Sequence, residues 1–365
     1  MKKHLRICAV GNSSSIHVKK RTQCFADRGH EVSLISPVRN QIEGVKNIYF
    51  PTHKNKPGLP GYIYRLIKAI RAENPDIVHL HYGEVYQVTA CYFSGFNFAV
   101  TLMGSDVING FGKLAWPQRL LLVSMLKKAT LLNPKSQNIA AMVEHNIGKH
   151  PNTIVTYWGA DFNKFKPTNK LMARQQLGFD LNTHLILSPR VLRPIYNIGL
   201  IVKALPIVLG QIDAKLLLCE SMAEPEYKAQ LQVLIAELNL EDRVIFLGEM
   251  TNDAMPLLYN AADVVVGIPD HDGMPMSLLE GMACAVPNII PKLKSYEELV
   301  IDKQSAYCVD LRESDIAEAI IELAKNEVLR EDICNNAYRT VNEKANFAVD
   351  VAKVEDAFLE IANDQ

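Results

Sequence analysis

Short runs rich in Val, Ile and Leu alternate along the chain with longer amphipathic stretches. Leu5–Gly11, Glu31–Ile35, Asp76–His81, Phe98–Leu102, Thr130–Asn133 and Thr153–Tyr157 read as one set of buried strands. His17–Arg28, stopped by Gly29, and Tyr62–Glu73, stopped by Asn74-Pro75, read as helices between them. A second set of strands follows at His184–Ser188, Lys215–Leu218, Arg243–Gly248 and Asp263–Gly267. Its helices fall at Pro225–Leu238 and near 313–325, 328–345 and 347–362. Strands alternating with helices predict parallel sheets covered on both faces, an α/β class. At 365 residues, two such domains are the natural reading. The polar shift at Pro167-Thr168-Asn169 divides them into 1–168 and 169–346, with 347–365 left as a terminal helix.

The opening strand–loop–helix–strand has the order of a Rossmann-like domain, yet Asn12-Ser13-Ser14-Ser15 lacks the Gly-x-Gly-x-x-Gly of dinucleotide sites. The richest stretch lies in the second half, from Gly267 to Pro287. An apolar strand leads into a loop with Pro269, Gly273 and Pro275, and Met276–Ala283 is then a helix of good formers. In a parallel sheet this loop sits at a strand's carboxyl end, where open α/β sheets bind ligands. The helix start offers N–H groups and a positive dipole end to a phosphate. Asp272 in the loop and Glu280 in the helix supply two carboxylates. An ordinary βα connection remains the bland reading of the same residues.

Asp272-x7-Glu280 followed by Gly-Met-Ala-Cys-Ala-Val-Pro resembles the carboxylate-x7-Glu signature of the retaining nucleotide-sugar glycosyltransferases of family 4, also called glycosyl transferases group 1. The family pattern has Glu first, then Gly-x-Pro, Leu-Leu-Glu-Ala-Met-Ala-Cys-Gly and Pro-Val; here Asp272 replaces the first Glu, Gly281 the Ala and Ala285 the Gly. The resemblance implies the GT-B architecture, two Rossmann-like domains facing a cleft, with the 347–365 helix crossing back to the first domain. It implies a donor site of Gly273, Met274, Pro275, Met276, Ser277 and Glu280, the last holding the ribose. Arg190 matches the family's diphosphate-binding Arg, while its companion Lys is missing, with Tyr196 and Asn197 in its region and Arg193 as a possible substitute. The family's glycine-rich turn is replaced by Cys219-Glu220-Ser221, and Glu249 and Met250 are expected near the nucleobase. On the acceptor side the resemblance points to Asp106, in Gly104-Ser105-Asp106, and to His81 at the end of a strand. Each has a structural alternative, Asp106 as a turn cap and His81 as a core residue. His79 and His81 share a strand face without a clear third metal ligand.

The implied reaction moves a sugar from a nucleotide-sugar to an acceptor hydroxyl with retention, in polysaccharide, lipopolysaccharide or other glycoconjugate synthesis. Catalytic weight falls on Asp272, Arg190 and Asp106. The nucleotide-sugar is a co-substrate; no other cofactor and no obligatory metal is expected, although Asp270-His271-Asp272 imitates a metal-binding Asp-x-Asp. A nucleotide-sugar 2-epimerase, a phosphorylase-like enzyme and a non-catalytic sugar-nucleotide sensor are the rival readings.

Composition adds boundaries. A net charge of −1 gives no bulk footprint for nucleic acid. The seven cysteines are scattered without a Cys-x-x-Cys pair, as in a reducing cytosol. No apolar run is long enough to span a bilayer, and Leu5–Val10 is too short for a signal peptide. A cytoplasmic enzyme is expected, with a glycan or lipid-linked glycan acceptor. Leu114–Lys128 is read as a core helix, with peripheral contact at the membrane's inner face as the alternative.

Overall fold

A computed structural model gives the fold and describes residues 4–51, 58–104, 106, 111 and 114–363. The chain forms two compact units, residues 1–158 with 348–365 and residues 159–347. The division falls ten residues before Thr168, because Ala160 exchanges backbone hydrogen bonds with Ala345 and Phe347 of the second unit.

The first unit holds β1 (Arg6–Val10), β2 (Glu31–Ser36), β3 (Val45–Tyr49), β4 (Ile77–His81), β5 (Phe98–Leu102) and β6 (Leu131–Pro134). They pair in the order β3-β2-β1-β4-β5-β6, all parallel. β3 is an edge strand of mixed burial, so its pattern was too weak to read from sequence. Thr153–Tyr157, read as a strand, makes only an isolated bridge from Thr153 to Leu132. Its backbone still follows β6, with Thr156 N–H donating to the Pro134 carbonyl at 3.2 Å.

The second unit holds β7 (His184–Ser188), β8 (Ala214–Leu218), β9 (Val244–Phe246), β10 (Val264–Val266), β11 (Asn288–Pro291) and β12 (Tyr307–Val309). Their order is β12-β11-β10-β7-β8-β9, again all parallel. Each unit thus repeats the doubly wound order, its first strand lying beside its fourth. Val78, Leu80, Val100 and Leu132 of the first sheet and Leu216, Leu218, Val264 and Val266 of the second are buried in the cores. All seven cysteines are unpaired thiols, five of them buried.

Local chemistry sets the element ends. The helix Leu59–Glu73 closes on Asn74 in the left-handed region, φ 42°, and Pro75 blocks its continuation. Asp76 then accepts from the Arg6 backbone N–H at 2.7 Å and from its guanidinium at 2.8 Å, tying the start of β4 to β1. The helix Trp116–Leu126 buries Leu122, Met125 and Leu126 but leaves Trp116, Leu120 and Leu121 exposed, so only part of its apolar surface is core. Among the described residues no helix is long and apolar enough to cross a membrane.

The terminal helix Phe347–Asn363 belongs to the first unit beyond Phe347. Phe358 stacks on Phe25 with centroids 5.4 Å apart and meets His79 edge-on. His30 accepts from the Leu5 N–H on Nδ1, so its proton sits on Nε2, 2.9 Å from Glu355 Oε1. Arg28 reaches the same carboxylate at 3.1 Å. His30 is therefore a structural residue that anchors the terminal helix.

Within the second unit two distant segments run side by side: Ala160 N–H donates to the Ala345 carbonyl and Phe347 N–H to the Ala160 carbonyl, both at 2.9 Å. Gly159 permits this approach, since a Cβ there would lie 1.6 Å from the Ala345 oxygen. Gly159→Ala is expected to destabilise the protein by at least about 3 kcal/mol, because backbone cannot yield as a side chain does. A urea-denaturation midpoint matching wild type would show that the approach is not needed.

Candidate active site

In the second unit, β7 and β10 are neighbours whose connections leave on opposite sides, so a crevice opens past their carboxyl ends. Arg190 follows β7 and the Gly267–Pro275 loop follows β10, which brings residues far apart in sequence to one place. Arg190 Nη2 donates to Asp272 Oδ2 at 2.6 Å and Nη1 to Ser277 Oγ at 3.0 Å. Its guanidinium lies 4.2 Å from the centre of the Tyr196 ring. Such stacking leaves the edge of the guanidinium, with its remaining N–H groups, directed in the ring plane.

Asp272 is held on three sides besides Arg190. Its Oδ1 accepts from the Gly273 N–H at 2.8 Å, its carbonyl accepts from Ser295 Oγ at 2.7 Å, and the Tyr296 hydroxyl lies 3.4 Å from Oδ2. Burial first, and then the Asp272 charge, raise the Tyr296 phenol above its usual range, so it stays protonated. Asp270 of the Asp-His-Asp run points to a different partner, the Asn197 amide at 2.7 Å. The two carboxylates are thus separately engaged by a guanidinium and an amide.

The helix Met276–Ala283 begins at Pro275, which offers no side-chain cap to its first N–H groups. Gly273 takes no left-handed φ, and a Cβ there would meet nothing within 4 Å, so folding alone does not demand glycine at this point. Met274 is buried beneath the loop, and Met276 and Ser277 are half-buried. Glu280 is placed by Tyr259, whose hydroxyl lies 3.2 Å from both Glu280 Oε2 and the Ser277 carbonyl. Burial and the Glu280 charge push the Tyr259 phenol well up.

Glu249 and Met250 lie on the loop after β9, in the same unit. Glu220 secures that loop: its N–H donates to the Gly248 carbonyl at 3.0 Å and its carboxylate accepts from the Gly248 N–H at 2.9 Å. The carboxylate also pairs with Lys228. Arg193 is engaged by Glu224 at 3.3 Å on the surface, and the Asn197 amide spans the Ile268 carbonyl and Asp270.

His81 and Asp106 belong to the other unit. The Asp106 carboxylate accepts from the backbone N–H groups of Gly83, Met103 and Gly104 at 2.9, 3.0 and 2.8 Å. Burial raises its pKa, and those N–H bonds oppose the rise. Asp106 therefore holds the loops after β4 and β5 together; Ser105 and Val107 of its motif lie outside the described residues. His81 is buried, and burial, with His79 and Arg21 nearby, holds its pKa well below the ordinary imidazole value. His79 bonds Thr101 Oγ1 at 2.8 Å, which ties it into the fold, and among the described residues no group of three or more His, Cys, Asp or Glu is placed to hold a metal.

A sequence model described as Glycosyl transferases group 1 matches residues 169–340, and one described as Glycosyl transferase 4-like matches residues 6–138. The chain belongs to the glycosyl transferases group 1 family. It is similar to N-acetyl-alpha-D-glucosaminyl L-malate synthase of Bacillus anthracis, 23% identical over 98% of this chain and 96% of the relative. It is also similar to a D-inositol 3-phosphate glycosyltransferase of Pseudarthrobacter chlorophenolicus, 23% identical over 81% of this chain and 78% of the relative. Among solved structures, a glycosyltransferase from Rickettsia africae matches with a TM-score of 0.85 at 17% identity, covering all of both chains. Anabaena Alr3699/HepE, in complex with UDP and glucose, matches at 0.79 and 18% identity, covering 97% of this chain and 99% of that one. The fold is the GT-B architecture, and the chain is a glycosyltransferase.

Sequence reading did not find the supports of the site. Tyr259, Ser295 and Tyr296 act across 18 to 24 residues, and no local pattern marks them. Two departures from the family pattern have structural causes. Ala285 occupies φ 53° as the left-handed residue of a Schellman end, with Val286 N–H donating to the Gly281 carbonyl and Ala285 N–H to Met282. That is the place of the pattern's Gly. Gly281 stands where the pattern has Ala because a Cβ would lie 2.7 Å from Asn288 Oδ1. Asn288 is itself buried, in the position of the pattern's Val, and its amide bonds the Val286 carbonyl at 2.9 Å. Gly281→Ala alone is expected to cost about 1–3 kcal/mol through overpacking. Gly281→Ala with Asn288→Val should recover most of that loss, since the two side chains share one space. Urea unfolding of the single and double variants reads the coupling, and purely additive effects would show that the space is not shared.

Proposed function

We propose that this glycosyltransferase moves a sugar from a nucleotide-sugar donor to an acceptor hydroxyl with retention of configuration, in the assembly of a polysaccharide, lipopolysaccharide or other glycoconjugate. The observation that carries the reading is Arg190 at the β7–β10 switch point, fixed by Asp272, Ser277 and Tyr196 beside an uncapped helix start. A departing nucleoside diphosphate develops negative charge, and fixed donors aimed at that charge lower the barrier without reorganising. Arg190 has N–H groups beyond those given to Asp272 and Ser277, and Ser277 belongs to the first turn of Met276–Ala283. Glu280, steadied by Tyr259, is suited to accept hydrogen bonds from ribose hydroxyls. Gly273, which no neighbour requires to be glycine, lets donor atoms approach the backbone.

In the proposed step the bond from the anomeric carbon to the diphosphate oxygen breaks, and the acceptor oxygen bonds to the same face of that carbon. The acceptor's proton passes to the departing phosphate oxygen, so the enzyme needs no nucleophile. Asp272 then serves to orient Arg190, and a carboxylate committed to a guanidinium at 2.6 Å is a poor attacking group. Asp106 keeps the acceptor-side loops in shape.

Arg190→Ala should lower kcat by roughly 10²–10³, the scale of losing one donor to a developing oxyanion. Arg190→Lys should restore only part, because an ammonium lacks the paired, planar donors. The loss should fall on kcat more than on KM if the contact strengthens as the glycosidic bond breaks. Near-normal kcat in folded Arg190→Ala would leave the leaving group without its cation and reject the mechanism.

Turnover should also proceed without an obligatory divalent ion. Asp270 and Asp272 already have organic partners in Asn197 and Arg190, and the guanidinium takes the place a metal would hold against the diphosphate. Activity that vanishes in chelator and returns with manganese or magnesium would contradict this.

A further inference from the structure

Between β7 and the helix Ile198–Leu209 the second unit makes a single 3₁₀ turn, Pro194–Tyr196, closed by Asn197 at φ 53° and ψ 33°. Asparagine is a favoured helix N-cap, yet here its side chain makes no capping bond to that helix. A left-handed φ by itself would suit glycine better. The destination of the amide explains the residue. Nδ2 donates to the Ile268 carbonyl at 3.0 Å and to Asp270 Oδ1 at 2.7 Å, and the Asp270 N–H donates back to the Ile195 carbonyl at 2.9 Å. Three hydrogen bonds thus clamp the loop after β7 to the loop after β10.

The clamp brackets Arg190. Tyr196, whose ring faces the guanidinium at 4.2 Å, adjoins Asn197 in the chain, and Asp272, which accepts from Nη2 at 2.6 Å, lies just beyond Asp270 and His271. The ring sets the plane of the guanidinium from one loop, and Asp272 and Ser277 set its rotation within that plane from the other side. These constraints agree only while the two loops keep a fixed offset, which is what the Asn197 amide enforces. Where the family pattern has Lys, this chain has Tyr196 and Asn197 in the region. Neither carries a charge; together they give the charge of Arg190 a fixed direction. Asp270 is exposed and Asn197 half-buried, so their bond adds little to stability and its use is placement.

We propose that Asn197 is a positioning residue for the transfer: it holds the two loops in register and, through Tyr196, fixes Arg190 before the diphosphate is bound. The use of that placement rests on the glycosyltransferase reading above; the placement itself is testable without substrate. In ¹⁵N-labelled full-length protein the Arg190 Nε–H signal, assigned by its absence in Arg190→Ala, should relax as a rigid group. Asn197→Gly keeps the left-handed backbone and removes the amide, so the signal should become that of a mobile side chain while the urea midpoint stays close to wild type. Asp270→Ala should act alike, and it carries the test if the glycine variant does not fold. Asp270→Asn, whose amide oxygen still accepts from Asn197, should keep the signal rigid. Calorimetric titration with UDP, GDP and ADP reads the consequence. The best-bound diphosphate should lose about five- to tenfold in affinity in Asn197→Gly, since Arg190 is then in place only part of the time. The same substitution should add nothing further in Arg190→Ala, whereas a merely structural role would weaken both backgrounds equally. An Arg190 signal unchanged in both Asn197→Gly and Asp270→Ala, or equal losses of affinity with and without Arg190, would overturn the proposal. Failure of every nucleoside diphosphate to bind would instead reject the donor reading, while the Arg190 signal still judges the clamp.

Discussion

The parallel sheet is the constraint on which everything else depends. A strand followed by a helix and another parallel strand must return over one face of the sheet, always with the same hand. Each loop after a strand is thereby delivered to the same edge. When the winding reverses beside the first strand, two loops diverge and leave a crevice that helices do not fill. Both sheets of this protein reverse in this way, at β1–β4 and at β7–β10. Arg190 and Asp272 meet, though 82 residues apart, because their strands are neighbours at that reversal.

The Arg190–Asp272 pair is partly buried, with side chains 11% and 21% exposed. Such a pair is weak evidence of stabilisation, since desolvation offsets much of its attraction. Its value lies in placement. The ring of Tyr196 beneath the guanidinium, Ser277 at one nitrogen and Asp272 at another leave Arg190 little rotameric freedom. A cation held in place before the diphosphate departs is worth more than a mobile one. Asn197 and Arg193 nearby are engaged by Asp270 and Glu224.

The first unit treats its polar core differently. Glu355 on the terminal helix satisfies His30 and Arg28, and Asp106 satisfies three backbone N–H groups. Beside these completed networks, Arg21, Asn47, His81 and Gln87 each keep a buried side-chain atom without a partner among the described residues.

Much of this protein was legible in its residues. The alternation of apolar runs and helix-forming stretches determined an α/β chain with two sheets, and the Gly267–Pro287 stretch located the candidate donor loop and its two carboxylates. The last three helices fell within about two residues of their expected ends, because their periodicity is long and their caps are local. The edge strand β3 escaped, since half-exposed edges carry little pattern, and Thr153–Tyr157 looked like a strand because its apolar run follows β6 without completing a ladder. Only tertiary structure decided who holds whom. That Tyr259 steadies Glu280, that Asn288 excludes a side chain at 281, and that Asp106 turns inward to backbone N–H groups are contacts across the chain. Local sequence encodes the period and the caps of each element, whereas the partner of a side chain depends on which strands the winding makes neighbours.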